Sequence, residues 1–140
     1  MKILVVTGTR KAKAKTHLPI IKSEIRRIKP QIVIEGGAEG VDSIARKVCE
    51  DLCIPVMTVK ADWTAFGKAA GHKRNGRMIM LAALIISDVE GLSFVPDDPS
   101  ILSKGTRNCI EQMQKAGISV TEKEIKIEEE KEVWVWTQKT

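Results

Sequence analysis

Four short segments of the 140-residue sequence combine residue types able to hold an anion or a sugar. Thr7-Gly8-Thr9-Arg10 joins a glycine that lets the backbone turn tightly, two hydroxyls that donate hydrogen bonds, and a guanidinium fork that bonds two oxygens at once. Gly36-Gly37-Ala38-Glu39-Gly40-Val41-Asp42 places three glycines within five positions. A tight turn accounts for one or two of them, and a third points to close approach of a phosphate or sugar to the backbone. Asp42 suits either a helix N-terminus or a ligand. Ala61-Asp62-Trp63 sets a carboxylate beside an aromatic face on which a base can stack, with Gly71-His72-Lys73-Arg74-Asn75 close behind. Ser103-Lys104-Gly105-Thr106 brings a cation and two hydroxyls to the start of a predicted helix, where backbone amides favour phosphate. No Gly-x-x-x-x-Gly-Lys-[Ser/Thr] loop and no Gly-x-Gly-x-x-Gly turn occurs. His17 and His72 have no cysteine companion, so no metal site and no cofactor are expected.

These segments punctuate an alternation of strand and helix patterns. Lys2–Thr7 is a short apolar, β-branched run closed by Gly8, which reads as a buried strand. Leu18, Ile21, Ile25 and Ile28 recur at helical steps and predict a helix over 16–28, with Pro19 in its first turn and Pro30 ending it. Gln31–Glu35 predicts the second strand, 41–52 the second helix, and Pro55–Val59 the third strand. Residues 60–72 read as a long loop, and long loops in compact domains usually carry function. A third helix is predicted from Lys73 to about Val89 and a fourth strand over Gly91–Val95. A loop from Pro96 to Thr106, a helix over 106–115 and a strand over 118–120 complete the pattern. The expected fold is therefore α/β: a Rossmann-like three-layer sandwich around a mainly parallel five-stranded sheet with right-handed crossovers. Ligands in such sheets bind beyond the carboxyl ends of the strands, where every unusual loop of this chain falls.

Read in order, six pieces resemble the SLOG superfamily, in particular its YspA-type branch of small bacterial and phage proteins. They are Val6-Thr-Gly-Thr-Arg10, Gly36 through Ala45, Ala61-Asp-Trp63, Gly67-Lys-Ala-Ala-Gly71, Arg74-Asn75 with Met78, and Ser103-Lys-Gly-Thr106 closing on Ala116-Gly-Ile118. The resemblance covers roughly residues 2–120. It implies a Rossmann-like domain over 1–120 whose glycine loops hold a nucleotide or nucleotide-derived small molecule, with Arg74 and Asn75 facing it. The function expected is that of a sensor or sequestering protein for such a molecule.

Two relatives in that superfamily supply alternatives. The LOG phosphoribohydrolases, which cut the base from a nucleoside 5′-monophosphate, carry Pro-Gly-Gly-x-Gly-Thr-x-x-Glu. Here Asp97-Asp98 follows Pro96, and Cys109 stands where the glutamate falls. Cleavage of an N-glycoside needs an activated water, so another carboxylate would have to serve: Asp62 and Asp98 are the two to test, with Asp97 and Asp42 beside them. The second relative, DNA-processing protein A, resembles the chain at Gly36–Ala45 and Arg74–Met78 and binds single-stranded DNA.

Composition sets the outer bounds. The chain is 43% apolar and 29% charged, as ordinary globular domains are, and its net charge is +5. Residues 1–30 hold nine Lys/Arg against the single acid Glu24, a balance of +8, which suits a phosphate-bearing partner, nucleotide or nucleic acid. Nothing near the start reads as a signal peptide, and the longest mainly apolar run, residues 78–87, is too short to cross a bilayer, so no membrane partner is expected. Three cysteines, an odd number without a Cys-x-x-Cys pair, predict a reducing compartment and hence a cytoplasmic location; all three are expected to be small buried hydrophobes. Residues 121–140 lie beyond the resemblance. There Ile125 and Ile127 alternate, as do Val133/Val135 and Trp134/Trp136, which predicts a β-hairpin or arm that helps form a homodimer.

Overall fold

Ile3, Leu4, Val5 and Val6 are all fully buried, successive residues pointing to opposite faces of a sheet that is covered on both sides. Leu4 and Val6 pack into one apolar cluster, Ile3 and Val5 into the other. Each such side chain contributes roughly 1.5–3 kcal/mol by burial. The continuous apolar run is therefore the signature of a central parallel strand, which a one-sided sheet would have replaced with alternation.

The computed structural model describes residues 1–85 and 88–128. Along the chain come β1 (Lys2–Gly8), α1 (Ala14–Ile28), β2 (Ile32–Glu35), α2 (Val41–Asp51), β3 (Val56–Thr58) and a one-turn helix, α3 (Trp63–Phe66). A 3₁₀ turn (Gly67–Ala69), α4 (Ala70–Leu84), β4 (Asp88–Pro96), a second 3₁₀ turn (Pro99–Ile101), α5 (Lys104–Lys115) and β5 (Ser119–Ile125) follow. The strand order is β3-β2-β1-β4-β5 and every pairing is parallel. α1 and α2 pack together on one face, α4 and α5 on the other. The fold is the α/β, Rossmann-like three-layer sandwich the sequence leads one to expect.

Several boundaries differ from expectation. α4 stops at Leu84 instead of continuing to Val89, and Ile85 is already extended. Val89 belongs to β4, opposite Ile3 of β1. Pairing along the whole of β1, from Lys2↔Asp88 to Gly8↔Phe94, outweighs the helical spacing that links Ile85 to Val89. The expected loop at 60–72 is largely helical, because the Asp62 carboxylate caps α3 by accepting from Ala65 N at 3.0 Å and α4 begins at Ala70. β5 runs to Ile125 instead of ending at Val120, pairing with β4 as far as Pro96. Its Thr121-Glu-Lys-Glu124 stretch is the charged edge that sheets use against unwanted pairing, and that charge hides the strand. Pro19 lies in the second turn of α1, not the first.

Cys49 and Cys109 are buried, and burial pushes both thiols up to about 11. Cys53 is instead exposed, in a left-handed conformation just beyond α2. His17 is a structural staple: its Nδ1 accepts from Lys13 N at 2.9 Å and its Nε2 lies 2.7 Å from the Lys126 carbonyl. The remainder of the expected hairpin, residues 129–140 with Trp134 and Trp136, lies outside the described residues.

Candidate functional site

β1 pairs with β2 on one side and β4 on the other, so the chain leaves β1 in one direction and later returns to its opposite flank. The crevice at such a reversal, beyond the carboxyl ends of the strands, is where open α/β sheets bind ligands. A cavity of about 450 Å³ opens there, and each of the four loops contributes to its wall. A second, of about 440 Å³, adjoins it and shares Arg10, Ala38, Trp63 and Arg74.

The loop after β2 is built around two carboxylates. Glu35, fully buried at the end of β2, accepts from the Thr58 hydroxyl and from Gly37 N at 2.6 Å. Asp42, in the first turn of α2, accepts through Oδ2 from Gly36 N at 3.2 Å and Ala38 N at 3.3 Å. The amides of Gly36, Gly37 and Ala38 are thus all taken by the protein's own carboxylates. The glycines have internal reasons as well: a Cβ on Gly36 would stand 2.6 Å from Arg74 Nη1, and Gly40 needs φ = 80° against the Arg10 backbone. These three amides are therefore not free for a phosphate, although the glycine count suggests it, and they hold Asp42 in place.

Asp42 is only 6% exposed and lines the larger cavity, and its buried Oδ1 has no hydrogen-bond partner among the described residues. Burial, seconded by the Glu35 charge, pushes its carboxyl up to about 7, against the opposing pull of the Ala38 amide, Arg74 and the Gly36 amide.

α5 supplies a wall of opposite character. Ser103 caps it, accepting from Thr106 N at 3.1 Å, and the Ser103 hydroxyl also donates to Thr106 Oγ1 at 2.9 Å. Thr106 in turn donates to the Gly8 carbonyl at 3.1 Å, locking the start of α5 onto the end of β1. Lys104 is exposed on the cavity wall, and Gly105 faces space so open that an added Cβ would meet nothing within 4 Å. The helix dipole and first-turn amides make this end favourable to an anion.

Arg74 and Asn75 line the cavity but also tie its walls together. Arg74 is buried, donating through Nη1 to the Gly36 carbonyl and through Nε to Asn75 Oδ1 at 2.9 Å. Asn75 passes the connection on to the Gly105 carbonyl at 3.1 Å and Asn108 Oδ1 at 3.3 Å. Arg10 lies over the half-exposed Trp63 ring, 5.8 Å from its centroid, and both border the two cavities.

Of the residues singled out in the sequence, Gly8, Arg10, Asp42, Trp63, Arg74, Asn75, and Ser103 through Thr106 meet at the larger cavity. Gly36 and Gly37 line the smaller one. Thr9 is buried away from both: its hydroxyl accepts from Lys11 N and its amide donates to the Phe94 carbonyl. Asp62 is spent on capping α3 and lines neither cavity. Asp98 is exposed and also lines neither, capping the second 3₁₀ turn through Ser100, whose side-chain and backbone hydrogen bonds lower its pKa. Asp42 is the one acid on the wall of the larger cavity among the described residues.

Lys68 and His72 also line that cavity, and Lys60 and Glu39 the smaller one; Glu39, Lys68 and His72 lie within the sequence pieces quoted above but were not picked as ligand-binding residues. Glu35 was missed too, though a charged residue ending an apolar strand is a visible sign of a special position. Among the described residues no cluster of His, Cys, Asp and Glu is arranged to hold a metal ion, and no helix is long and apolar enough to cross a membrane.

No family model matches the chain, and no solved structure matches it significantly. It is 34% identical over 128 residues to the Gene 61 protein of Mycobacterium phage D29, an alignment that spans 86% of this chain and 94% of that protein.

Proposed function

The chain belongs to the family of that phage Gene 61 protein, and we propose that it binds a nucleotide or nucleotide-derived small molecule at the carboxyl edge of its sheet, as a sensor or sequestering protein. One observation carries the reading: the 450 Å³ cavity joins the N-terminus of α5, with its exposed Lys104, to the half-exposed Trp63 ring. A phosphate fits the first and a base stacks on the second, and a nucleotide offers both on one molecule. The half-exposed Trp63 ring, with Arg10 over it, gives a base a surface to stack on. The six pieces resembling the SLOG superfamily support the same ligand class.

Thermal shift against nucleoside monophosphates, nicotinamide dinucleotide and cyclic nucleotides tests the reading. A ligand at one hundred times its Kd adds about 2.7 kcal/mol, a rise of several degrees in a domain of this size. The rise should vanish in Lys104→Glu. No rise with any nucleotide would sink the proposal.

Single-stranded DNA binding has its own supporting observation. Lys11, Lys13, Lys15, Arg26 and Lys29 are exposed before, in and just after α1, and Lys22, Arg26 and Arg27 border a shallow hollow beside Pro19. The acid on this helix, Glu24, is already engaged with Arg27 at 2.8 Å and Lys123 at 3.0 Å. Affinity for an oligonucleotide through this face should fall steeply with salt. The hydrolase alternative, by contrast, would need Asp42, and release of free base from a nucleoside monophosphate is its readout. The homodimer expected from the C-terminal arm would show in light scattering of the chain with and without residues 129–140.

A further inference from the structure

Lys60 and Trp63 follow closely on the end of β3, and local structure fixes the position of each. The Val59 amide donates to the Glu35 carbonyl at 2.8 Å, which carries the β3 pairing up to the carboxyl edge of the sheet. Lys60 then lays its stem against Gly37, where an added Cβ would stand 3.4 Å from Lys60 Cγ. Asp62 caps α3 through Ala65 N, so the turn that carries Trp63 is set as well. The ring rests beside Gly71 of α4, where a Cβ would lie 3.5 Å from Trp63 Cη2. With Arg10 over it, Trp63 forms a waist between two spaces. Both of these side chains border the larger and the smaller cavity, whereas Lys104 borders the larger and Lys60 the smaller.

A cavity of about 450 Å³ is already large enough for one small ligand, and nearly the same volume lies open beyond the waist. Cations are spread along this length instead of gathered at one end: Lys104 first, then Arg10 and Arg74, then Lys60. Lys104 and Lys60 are both exposed, and neither is in an ion pair among the described residues. Glu39 is the acid on the wall of the smaller cavity, set against the three cations Arg10, Lys60 and Arg74. A nucleotide with its phosphate at Lys104 and its base on Trp63 ends at the waist and leaves Lys60 unused. Resting on the nucleotide reading above, we infer that the ligand is a 5′-phosphorylated dinucleotide. Its first nucleotide fills the larger cavity, and its second crosses the Arg10–Trp63 waist into the smaller one, where Lys60 and Arg10 meet the phosphate that joins them. Two phosphates one nucleoside apart match cations that are themselves spaced out, as the adjoining phosphates of a pyrophosphate do not. The covalent link brings the second unit to its cavity as an intramolecular event, so a modest extra contact counts in full.

Titration calorimetry with the full chain tests this using the four nucleoside 5′-monophosphates and, for each base, three larger compounds. These are the 5′-phosphorylated 3′–5′-linked dinucleotide, the 5′–5′ pyrophosphate-linked dinucleotide and the 5′-phosphorylated hexanucleotide. The 3′–5′-linked dinucleotide of the preferred base should bind about ten- to a hundredfold tighter than its monophosphate, the span of one added hydrogen bond between charged groups. Lys60→Glu, at an exposed position, should erase that gain and leave the monophosphate affinity nearly unchanged, whereas Lys104→Glu should weaken both ligands. Equal affinity for monophosphate and dinucleotide overturns the inference while leaving the nucleotide reading standing. So does a gain that survives Lys60→Glu. Tighter binding of the pyrophosphate-linked compound refutes the spaced phosphates, and affinity that keeps climbing to the hexanucleotide replaces the dinucleotide with a strand. Failure of every compound to bind overturns the nucleotide reading and the inference together. The comparison of ligands on the unaltered protein does not depend on how either variant folds.

Discussion

Glu35 and Asp42 place two buried carboxylates on opposite ends of one glycine loop and between them occupy three consecutive backbone amides, those of Gly36, Gly37 and Ala38. Burial raises the free energy of the charged form of Asp42, and the neighbouring Glu35 charge adds to it. Asp42 bears the consequence: its folded-state pKa lies at about 7 against an ordinary 3.8.

Stability should therefore depend on pH through Asp42. The folded chain keeps this proton up to about pH 7, whereas the unfolded chain releases it near 3.8. Between those values the unfolded state binds fewer protons, so the Asp42 contribution declines as pH rises and levels off above about 7. Asp42→Asn, which removes the titration, should gain on the unaltered protein steadily from pH 4 to pH 7. Melting temperatures of both across that range check this, and a pH-independent difference would refute it.

Gly105 should separate binding from folding. Its added Cβ meets nothing within 4 Å and its backbone φ is not in the left-handed region, so no packing demands a glycine there. Gly105→Ala, in the first turn of α5, should stabilise the fold by up to about 1 kcal/mol. Gly105→Leu should fold as well as the alanine variant yet lose nucleotide binding, because its side chain occupies the cavity. Chemical denaturation read beside calorimetry distinguishes the two effects.

Arg74 should behave as a structural tie as much as a binding residue. Arg74→Met keeps most of the stem but abandons the Gly36 carbonyl and Asn75 Oδ1. Loss of charge-assisted bonds at a buried position predicts about 2–3 kcal/mol of destabilisation in urea. It also removes a positive charge that lowers the Asp42 pKa, so the pH at which the Asp42 slope ends should move upward.

Ser93 offers a gain. It is fully buried on β4 and its hydroxyl finds no partner among the described residues. Ser93→Ala removes an unsatisfied polar group and should raise stability by about 1 kcal/mol, seen as a higher urea midpoint with unchanged m-value. A lower midpoint would mean that the hydroxyl is satisfied.

The sequence by itself determined that β1 is a central strand, since Ile3–Val6 is apolar without alternation, and that strand and helix succeed one another in parallel-sheet order. That order alone sends the loops after β1, β2, β3 and β4 to one edge, which is why most of the residues chosen for their chemistry meet at one cavity. The spacing of Ile85 and Val89 misled because a helical step between two apolar residues is equally compatible with a chain that turns from helix to strand. Only the pairing of Val89 with Ile3 settles the difference. The C-terminal half of β5 was hidden because an edge strand carries charge where a central one carries valine.

Only the tertiary structure decided what each site residue is free to do. Nothing local distinguishes a glycine amide that awaits a phosphate from one already bonded to Asp42, nor Asp62 and Asp98, exposed and spent on caps, from Asp42, buried on the cavity wall. Residue type and spacing specify which donors and acceptors a loop owns. Whether a partner from elsewhere in the chain has claimed them is set by long-range packing, and Arg74, 38 positions from the glycine carbonyl it grips, lies beyond any local pattern.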